Sequence, residues 1–507
     1  MHSHLRNLTL IALSFILLPL STFILLLARL RLRLRPQNVI SSSPASSKTI
    51  LVTGVGMTKG LVLARLFHRA GHRVIGADFS PYAAGSRSTS LSAYHVLRHP
   101  GTGGGAGGYL DSVLKVIEGE RVDLWVSCSG VASAVDDGWA REVVEARTAC
   151  RAVQSGGEQT RVLHDKAEFM RHTREAVGQD VPESHLVTSA REMLQVLAGD
   201  AKDGDSSGNT SIKGVRYVAK SVGLNDRSRG DMTLLPRDTQ EETRLFVSRI
   251  AAMGISANDP WLLQEFIPGK EYCTHALVVR GRVRAFVACP SAELLMHYVA
   301  LPDDSPLALA MLEFTRRQAR SFGDGFTGHL SFDFIAREPE GGAQSQEDVH
   351  LYPIECNPRA HTAVVLFANT PGLVDEYMTV LESNEGEGSK EEDDSPTNNS
   401  DVDTGNPVTP LNPKPYYWIG HDLVTLLLLP TLRVLLLQIS PLAYARGLKD
   451  FLIHLISWTD GTWDSLDPLP WWWLYHVYWP LQFLQSLARG PAWSRVNVST
   501  TKMFECD

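Results

Sequence analysis

Phe332-Asp333-Phe334-Ile335 and, further along, Pro353-Ile354-Glu355-Cys356-Asn357-Pro358-Arg359 decide how this chain reads. Each is an apolar strand-like run that carries hard oxygen donors. Side chains alternate along a strand with a period of two, so Glu355 and Asn357 share one face. Asp333, on a neighbouring strand, can meet them there. Carboxylate and amide oxygens grouped in this way suit Mg2+, which fills its remaining positions with water and phosphate. The competing reading is a surface hairpin with incidental acids. A polar Glu-x-Asn-Pro-Arg directly after an apolar strand is uncommon by chance.

Outward from this pair, the chain from Gln159 reads as helices mixed with antiparallel strands. Tyr217–Lys220, Trp261–Phe266, Tyr272–Val279, Arg282–Ala288, Gly328–Ile335 and His350–Glu355 are the strand candidates. Ala201–Asn209 and Glu338–Asp348 are polar insertions between them. Glu382–Asn412, rich in Glu, Asp, Ser and Asn, has too little apolar content to fold and is expected to be disordered. Upstream, Thr49-Ile50-Leu51-Val52-Thr53 reads as a buried strand broken by Gly54-Val55-Gly56. Leu61–Arg69 has helical spacing, and Arg73–Ala77 is a second strand that closes one βαβ unit on Asp78. Val122–Ser127 extends the same sheet, and the Gly101–Gly108 run is expected to be a loop.

Three more segments give the metal-ligand pair a context: Asp165-Lys166-Ala167-Glu168-Phe169-Met170, Val218-Ala219-Lys220, and Gln264-Glu265-Phe266-Ile267-Pro268-Gly269-Lys270-Glu271-Tyr272. In order and spacing, over roughly Gln159–Leu381, they resemble the ATP-grasp superfamily of ligases. The resemblance implies that Lys166 and Lys220 clamp ATP phosphates and that backbone groups of Gln264, Glu265, Phe266 and Ile267 hold adenine. It further implies that Glu271 holds the ribose, and that Asp333, Glu355 and Asn357 bind Mg2+, with Mn2+ able to replace it. The electrostatics agree. ATP concentrates negative charge, two lysines on facing sheets oppose it, and a divalent ion offsets the charge that develops as the γ-phosphoryl leaves. Arg359 falls beside that metal, available to the transferred phosphoryl or an acyl-phosphate; its other reading is pairing with a nearby acid. Two features depart from the superfamily pattern. The loop Ser221–Gly230 offers Arg227 and Arg229 in place of a glycine-rich phosphate cover, and Ser331 stands where some members carry arginine.

A finer resemblance, to mycosporine-glycine synthase and related fungal biosynthetic enzymes, rests on Gly56-Met57-Thr58-Lys59, Leu66–Ile75 and Ser331–Phe334. It continues in Trp418-Ile419-Gly420-His421-Asp422, Asp467-Pro468-Leu469-Pro470 and Tyr475-His476-Val477. It implies phosphorylation of a small acceptor, then attachment of an amino acid through its amine, in secondary-metabolite biosynthesis. The expected fold is α/β and α+β. A transmembrane anchor (1–35) and linker (36–48) lead into a Rossmann-like pre-ATP-grasp domain (49–158). An ATP-grasp domain of two α+β subdomains (159–382), a disordered insertion (383–413) and a C-terminal helical, aromatic region (414–507) follow.

The 507 residues, 44% hydrophobic and 21% charged, suit two or three globular domains. A net charge of −8 and the lack of a basic, aromatic-interleaved stripe exclude general binding to nucleic acid. The six cysteines are scattered without ligand spacing and read as reduced, buried thiols. Leu8–Ala28 is uncharged and long enough to cross a bilayer, and Pro19 within it is tolerable in lipid. Arg29, Arg31, Arg33 and Arg35 follow it, against Arg6 alone before it. The expected topology is therefore a single-pass protein whose catalytic body faces the cytosol. A cleaved signal peptide would carry its charge before the apolar run. Leu423–Ile439 contains Pro430 and Arg433 and is expected to be a packed helix pair rather than a second span. Trp471–Trp479 is expected to pack in the core, with a membrane-interface belt as the alternative. His164, His329 and His361 show no ligand spacing, and His361 is placed at the acceptor site.

Two other functions compete. Gly54-x-Gly56-x-x-x-Gly60 with Asp78 suits an NAD(P)-dependent oxidoreductase, although the spacing departs from the usual G-x-G-x-x-G. Lys59 precedes Gly60 and there is no Gly-Lys-Ser/Thr, so a P-loop is less favoured still. A non-catalytic, membrane-bound nucleotide-binding protein is the second alternative, and the retained Asp333, Glu355, Asn357, Lys166 and Lys220 speak against it.

Overall fold

Strands of β-branched and aliphatic residues alternate with helices from Thr49 to Val153, the pattern that buries a parallel sheet on both faces. In the computed structural model, β1 (Thr49–Thr53), β2 (Arg73–Asp78), β3 (Ala93–Val96), β4 (Leu124–Ser127) and β5 (Arg151–Val153) form that sheet. Its order is β3-β2-β1-β4-β5, and every pairing is parallel. The structure describes residues 2–34, 47–101, 105–128, 130–199, 215–221, 231–291, 296–339, 341–382, 405–490 and 492–506. The Ala201–Asn209 insertion, Arg227 and Arg229 lie outside them. Where a loop was expected over Gly101–Gly108, a helix begins at Gly105 and runs to Glu120. Its Tyr109, Val113, Val116 and Ile117 are buried, and that apolar stripe draws the glycine-rich first turn into the helix.

Two antiparallel sheets follow. β6 (Ser184–Val187), β7 (Tyr217–Ser221), β8 (Leu234–Leu235) and β9 (Trp261–Glu265) pair in the order β6-β9-β7-β8. The chain then makes β10 (Lys270–Val279), β11 (Arg282–Pro290), a short β12 (His297–Tyr298), β13 (Gly328–Arg337) and β14 (His350–Asn357). Four of these form a sheet in the order β11-β10-β13-β14. Phe332 and Phe334 meet Phe314 of the helix Pro306–Arg320 edge-to-face, with centroids 5.0 and 5.1 Å apart. Since neighbours on a strand point oppositely, burying both rings aims Asp333 at the other face.

β12 pairs with β15 (Tyr416–Tyr417), which in turn pairs with β16 (Thr459–Asp460); β17 (Ala492–Asn497) and β18 (Lys502–Cys506) form a terminal hairpin. The C-terminal region is knitted to the parallel sheet. Arg65, on the helix Thr58–Arg69, donates from Nε to Asp467 Oδ2 at 3.0 Å, from Nη2 to Asp467 O at 2.8 Å and from Nη1 to Thr462 O at 3.0 Å. Both partners of this ion pair are buried. Cys128, Cys150, Cys273, Cys289 and Cys356 are buried and free, as expected.

Two further expectations need correction. Residues 405–413, expected to be disordered, lie against the fold: Val408 N donates to Arg284 O at 2.8 Å, and Leu411 N to Thr370 Oγ1 at 2.8 Å. Leu423–Ile439 does not pack as a buried pair. Leu429, Leu432, Leu435 and Leu436 are exposed, and Leu437 is 91% exposed in a left-handed backbone conformation at φ 57°. Trp471, Leu474, Tyr478 and Trp479, by contrast, are buried as expected.

The N-terminal helix, His2–Leu34, is bonded to the C-terminal region. Trp493 Nε1 donates to Asn7 Oδ1 at 2.6 Å and Asn7 Nδ2 to Ser486 Oγ at 3.1 Å. Ser14 Oγ donates to Tyr475 O at 3.0 Å, Ser21 Oγ bonds the His476 ring, and Trp472 Nε1 donates to Thr22 Oγ1 at 3.0 Å. Asn7, Ser14 and Ser21 recur every seven residues and so line one face of the helix.

Truncating one partner of a buried ion pair leaves the other charge uncompensated, at a cost of about 3–5 kcal/mol. Asp467→Ala is therefore expected to lower the thermal unfolding temperature sharply. An unchanged melting curve would show that the Arg65–Asp467 tie does not hold these regions together.

Candidate nucleotide and metal site

Asp333 lies opposite Glu355, and Ser331 opposite Asn357, in the β13–β14 ladder, whose register shifts just after Asp333. The three predicted metal ligands therefore converge. Asn357 Nδ2 donates to Asp333 Oδ2 at 3.3 Å, and Arg359 Nη2 donates to Asn357 Oδ1. Lys166 is not on a sheet facing Lys220 as expected but opens the helix Lys166–Glu175, whose first turn is capped by Asp165 accepting from the amides of Ala167 and Glu168. That cap holds Lys166 Nζ 3.2 Å from Glu355 Oε2. Lys220 lies on β7 beside β9, and its Nζ donates to Gln264 Oε1 at 2.6 Å.

The charges in this cluster strain against each other. Burial pushes the Asp333 carboxyl up to about 8, and Glu355 and Glu271 push it the same way. Burial lowers Lys220 to about 8, with Lys166 next in effect. Arg359 and Lys166 offset part of the first shift, and Glu355, Glu271 and Asp333 part of the second. Asp333 Oδ1 and Gln264 Nε2 are buried with no hydrogen-bond partner in the protein. An oxygen in search of a cation and an amide donor in search of an acceptor fit a divalent ion and a nucleotide respectively.

The segment expected to hold adenine is partly committed within the fold. Glu265 N donates to Glu183 O at 2.7 Å and Phe266 N to Arg216 O at 2.7 Å. The neighbouring amide is that of Ile267, which is buried, and Pro268 after it has no N–H. Glu271 is exposed and accepts from Ser291 Oγ at 2.9 Å.

Other predicted residues fare differently. His361 does not line an open acceptor site: it is buried, and its Nδ1 accepts from Ala363 N at 3.2 Å as a helix cap. Burial lowers His164 to about 4, with Arg359 adding to the shift. Sequence reasoning missed Lys59. It is buried, its Nζ donates to Ala360 O at 2.8 Å next to Arg359, and burial followed by Arg359 lowers it to about 7. A lysine inside a glycine-rich turn was the available signal. That turn is closed on itself. Gly56 N donates to Asp78 Oδ2 at 2.8 Å, and Thr58 N, at the helix start where a pyrophosphate would sit, donates to Ser499 O at 2.9 Å.

No known family's sequence profile matches the chain, and no curated protein sequence does. Among solved structures, the chain is similar to an L-amino acid ligase from Bacillus licheniformis at 13% identity. That match covers 66% of this chain and 74% of that one, with a TM-score of 0.44. It is similar to a biotin carboxylase–βγ-ATP complex from Campylobacter jejuni at 13% identity, over 67% and 72% of the two chains, with a TM-score of 0.47. A phosphoribosylamine–glycine ligase from Thermotoga maritima shares 18% identity over 66% and 74%, with a TM-score of 0.43.

A ligand that binds only the folded state at a hundredfold excess over its Kd stabilises by about 2.7 kcal/mol. Mg2+ with ATP is therefore expected to raise the melting temperature of this protein. The shift should shrink in Lys220→Ala and largely vanish in Asp333→Asn. Equal shifts in all three proteins would separate these residues from nucleotide binding.

Proposed function

We propose that the chain is an ATP- and Mg2+-dependent ligase of the ATP-grasp type, which phosphorylates a small acceptor and joins it to the amine of an amino acid. One observation carries this reading: Asp333, Glu355 and Asn357 converge, with Asp333 Oδ1 unbonded, beside Lys166 and Lys220. Mg2+–ATP, when bound, supplies the phosphoryl group and the cation that offsets its developing charge. Lys166 and Lys220 then hold the phosphates, and Gln264 and the Ile267 amide hold the base. Glu271 accepts from the ribose hydroxyls. Arg359, tethered to Asn357, orients the transferred phosphoryl group on the acceptor. The resemblance to mycosporine-glycine synthase supports a mycosporine-like or other amino-acid-derived fungal product. The N-terminal helix, long and apolar enough to cross a bilayer, holds the enzyme at a membrane, with the body on the cytosolic side.

The closed glycine turn speaks against the oxidoreductase reading, because Asp78 and the Thr58 amide already have partners inside the chain. NADH absorbance changes with candidate substrates would revive it. The non-catalytic reading predicts nucleotide binding without turnover.

Incubation with ATP, Mg2+, pooled amino acids and candidate acceptors should yield ADP together with a new condensed mass. Asp333→Ala and Glu355→Ala should abolish ADP formation while the far-ultraviolet spectrum stays native. Asn357→Ala, which removes a neutral ligand, should be severe but less complete. Glu271→Ala should raise the KM for ATP, since the ribose loses its acceptor. Near-normal ADP release by a folded Glu355→Ala protein would sink the assignment.

A further inference from the structure

The Trp418–Asp422 segment, which the nucleotide site does not use, ends in a side chain with an unusual setting. Asp422 is fully buried, and its carboxylate lies between two imidazoles from distant parts of the chain. Asp422 Oδ1 is 2.8 Å from His297 Nε2 on β12, and Oδ2 is 2.6 Å from His454 Nδ1 on the helix Pro441–Ser457. The three ligand atoms lie within 4.8 Å of one another. Trp458 walls the site, with its ring 4.2 Å from that of His454 and 5.5 Å from that of His297. His297 is the most open of the three, 28% exposed.

We propose that His297 Nε2, the Asp422 carboxylate and His454 Nδ1 bind a divalent ion of the zinc class. Two imidazoles and one carboxylate suit Zn2+ better than Mg2+, which takes all-oxygen sets. Tetrahedral bonds of about 2.0–2.1 Å put ligand atoms about 3.3 Å apart, so the 2.8 and 2.6 Å contacts to the carboxylate open by about half an ångström while the widest pair, within 4.8 Å, closes toward the same spacing. Water completes the coordination on the open His297 side. The ion neutralises a buried carboxylate, which is otherwise costly to hold away from water. It also ties β12, the segment after β15 and the helix Pro441–Ser457 at one point.

The test is metal analysis of the untagged full-length chain, purified without chelator and then exposed to Zn2+ or Co2+. One tightly held ion per chain and the visible bands of tetrahedral Co2+ are expected. His297→Gln, at the exposed edge, should cut retention about tenfold or more, and His454→Gln likewise. Asp333→Asn should retain the ion, which separates this site from the nucleotide metal. A chain that takes up neither metal overturns the proposal, as does uptake undiminished by both histidine variants.

A different set of observations carries a second proposal. We infer that the N-terminal helix lies in the plane of a membrane interface rather than crossing the bilayer. From Arg6 to Thr22, about 24 Å of helix at 1.5 Å per residue, one face is bonded to the C-terminal region between Trp472 and Ser494. Crossing a bilayer in this state would drag that region, with Arg489 and Arg495, into hydrocarbon. The opposite face exposes Leu8, Phe15, Ile16, Phe23, Leu26 and Leu30, and the Leu429–Leu437 stretch exposes a second apolar patch. Arg29, Arg31 and Arg33, all exposed, complement anionic headgroups. This rests on the membrane reading given above.

With an N-terminal epitope in sealed vesicles, an impermeant protease should remove the epitope and digest the body from the same side. An epitope protected while the body is digested would overturn the in-plane geometry. Recovery of the intact chain in the supernatant would instead overturn membrane attachment itself.

Discussion

The period-two alternation of β13 is the constraint on which the site depends. Phe332 and Phe334 are both drawn onto Phe314 by apolar burial, and that leaves Asp333 a single direction. A slip of one residue would reverse every side chain, sending Asp333 into the aromatic cluster and the rings into the charged cleft. The ladder to β14 then settles the partners, because Asp333 pairs with Glu355. The core that stabilises this sheet is therefore also the device that aims its carboxylates. Their mutual repulsion is a consequence of the hydrophobic packing behind them.

The parallel sheet belongs to the same mechanical unit. Lys59 reaches the Ala360 carbonyl just beyond Arg359, Trp418 Nε1 donates to Thr58 Oγ1, and Thr58 N donates to the Ser499 carbonyl. One short turn, Gly56–Lys59, thus holds the strand exit that carries Arg359 and the closing C-terminal segment together. A side chain at Gly60 would approach Gly54 O to 2.5 Å, so the tightness of this turn is what requires glycine there. The motif that looks like a dinucleotide fingerprint serves here as a structural clasp.

Local pattern made much of this legible. The strands flanking the site, the buried β1 and the convergence of Asp333, Glu355 and Asn357 follow from alternation and short-range order, whereas the place of Lys166 was implied only by the resemblance. What stayed hidden depends on distant pairing. His297, Asp422 and His454 have no recognisable spacing, since the first two are 125 residues apart in the chain. The role of Lys59 depends on a carbonyl 301 residues away. The helix at Gly105 was hidden for the opposite reason, because glycine's low propensity was overridden by tertiary burial of the stripe behind it. Leu423–Ile439 misled because Pro430 and Arg433 argue against a bilayer span, and such an argument does not establish that the segment is buried.

The contact between the first helix and the last part of the chain imposes an order on biosynthesis. The helix ends at Leu34, whereas its docking residues run from Trp472 to Ser494. At about 5–20 residues per second, a ribosome leaves roughly 20–90 s between the two. Throughout that interval the most apolar segment of the protein has been made, and the C-terminal partners of Asn7, Ser14 and Ser21 have not. Newly made chains therefore pass through a stage in which this helix must be sheltered by something other than the protein itself, either a lipid surface or a chaperone.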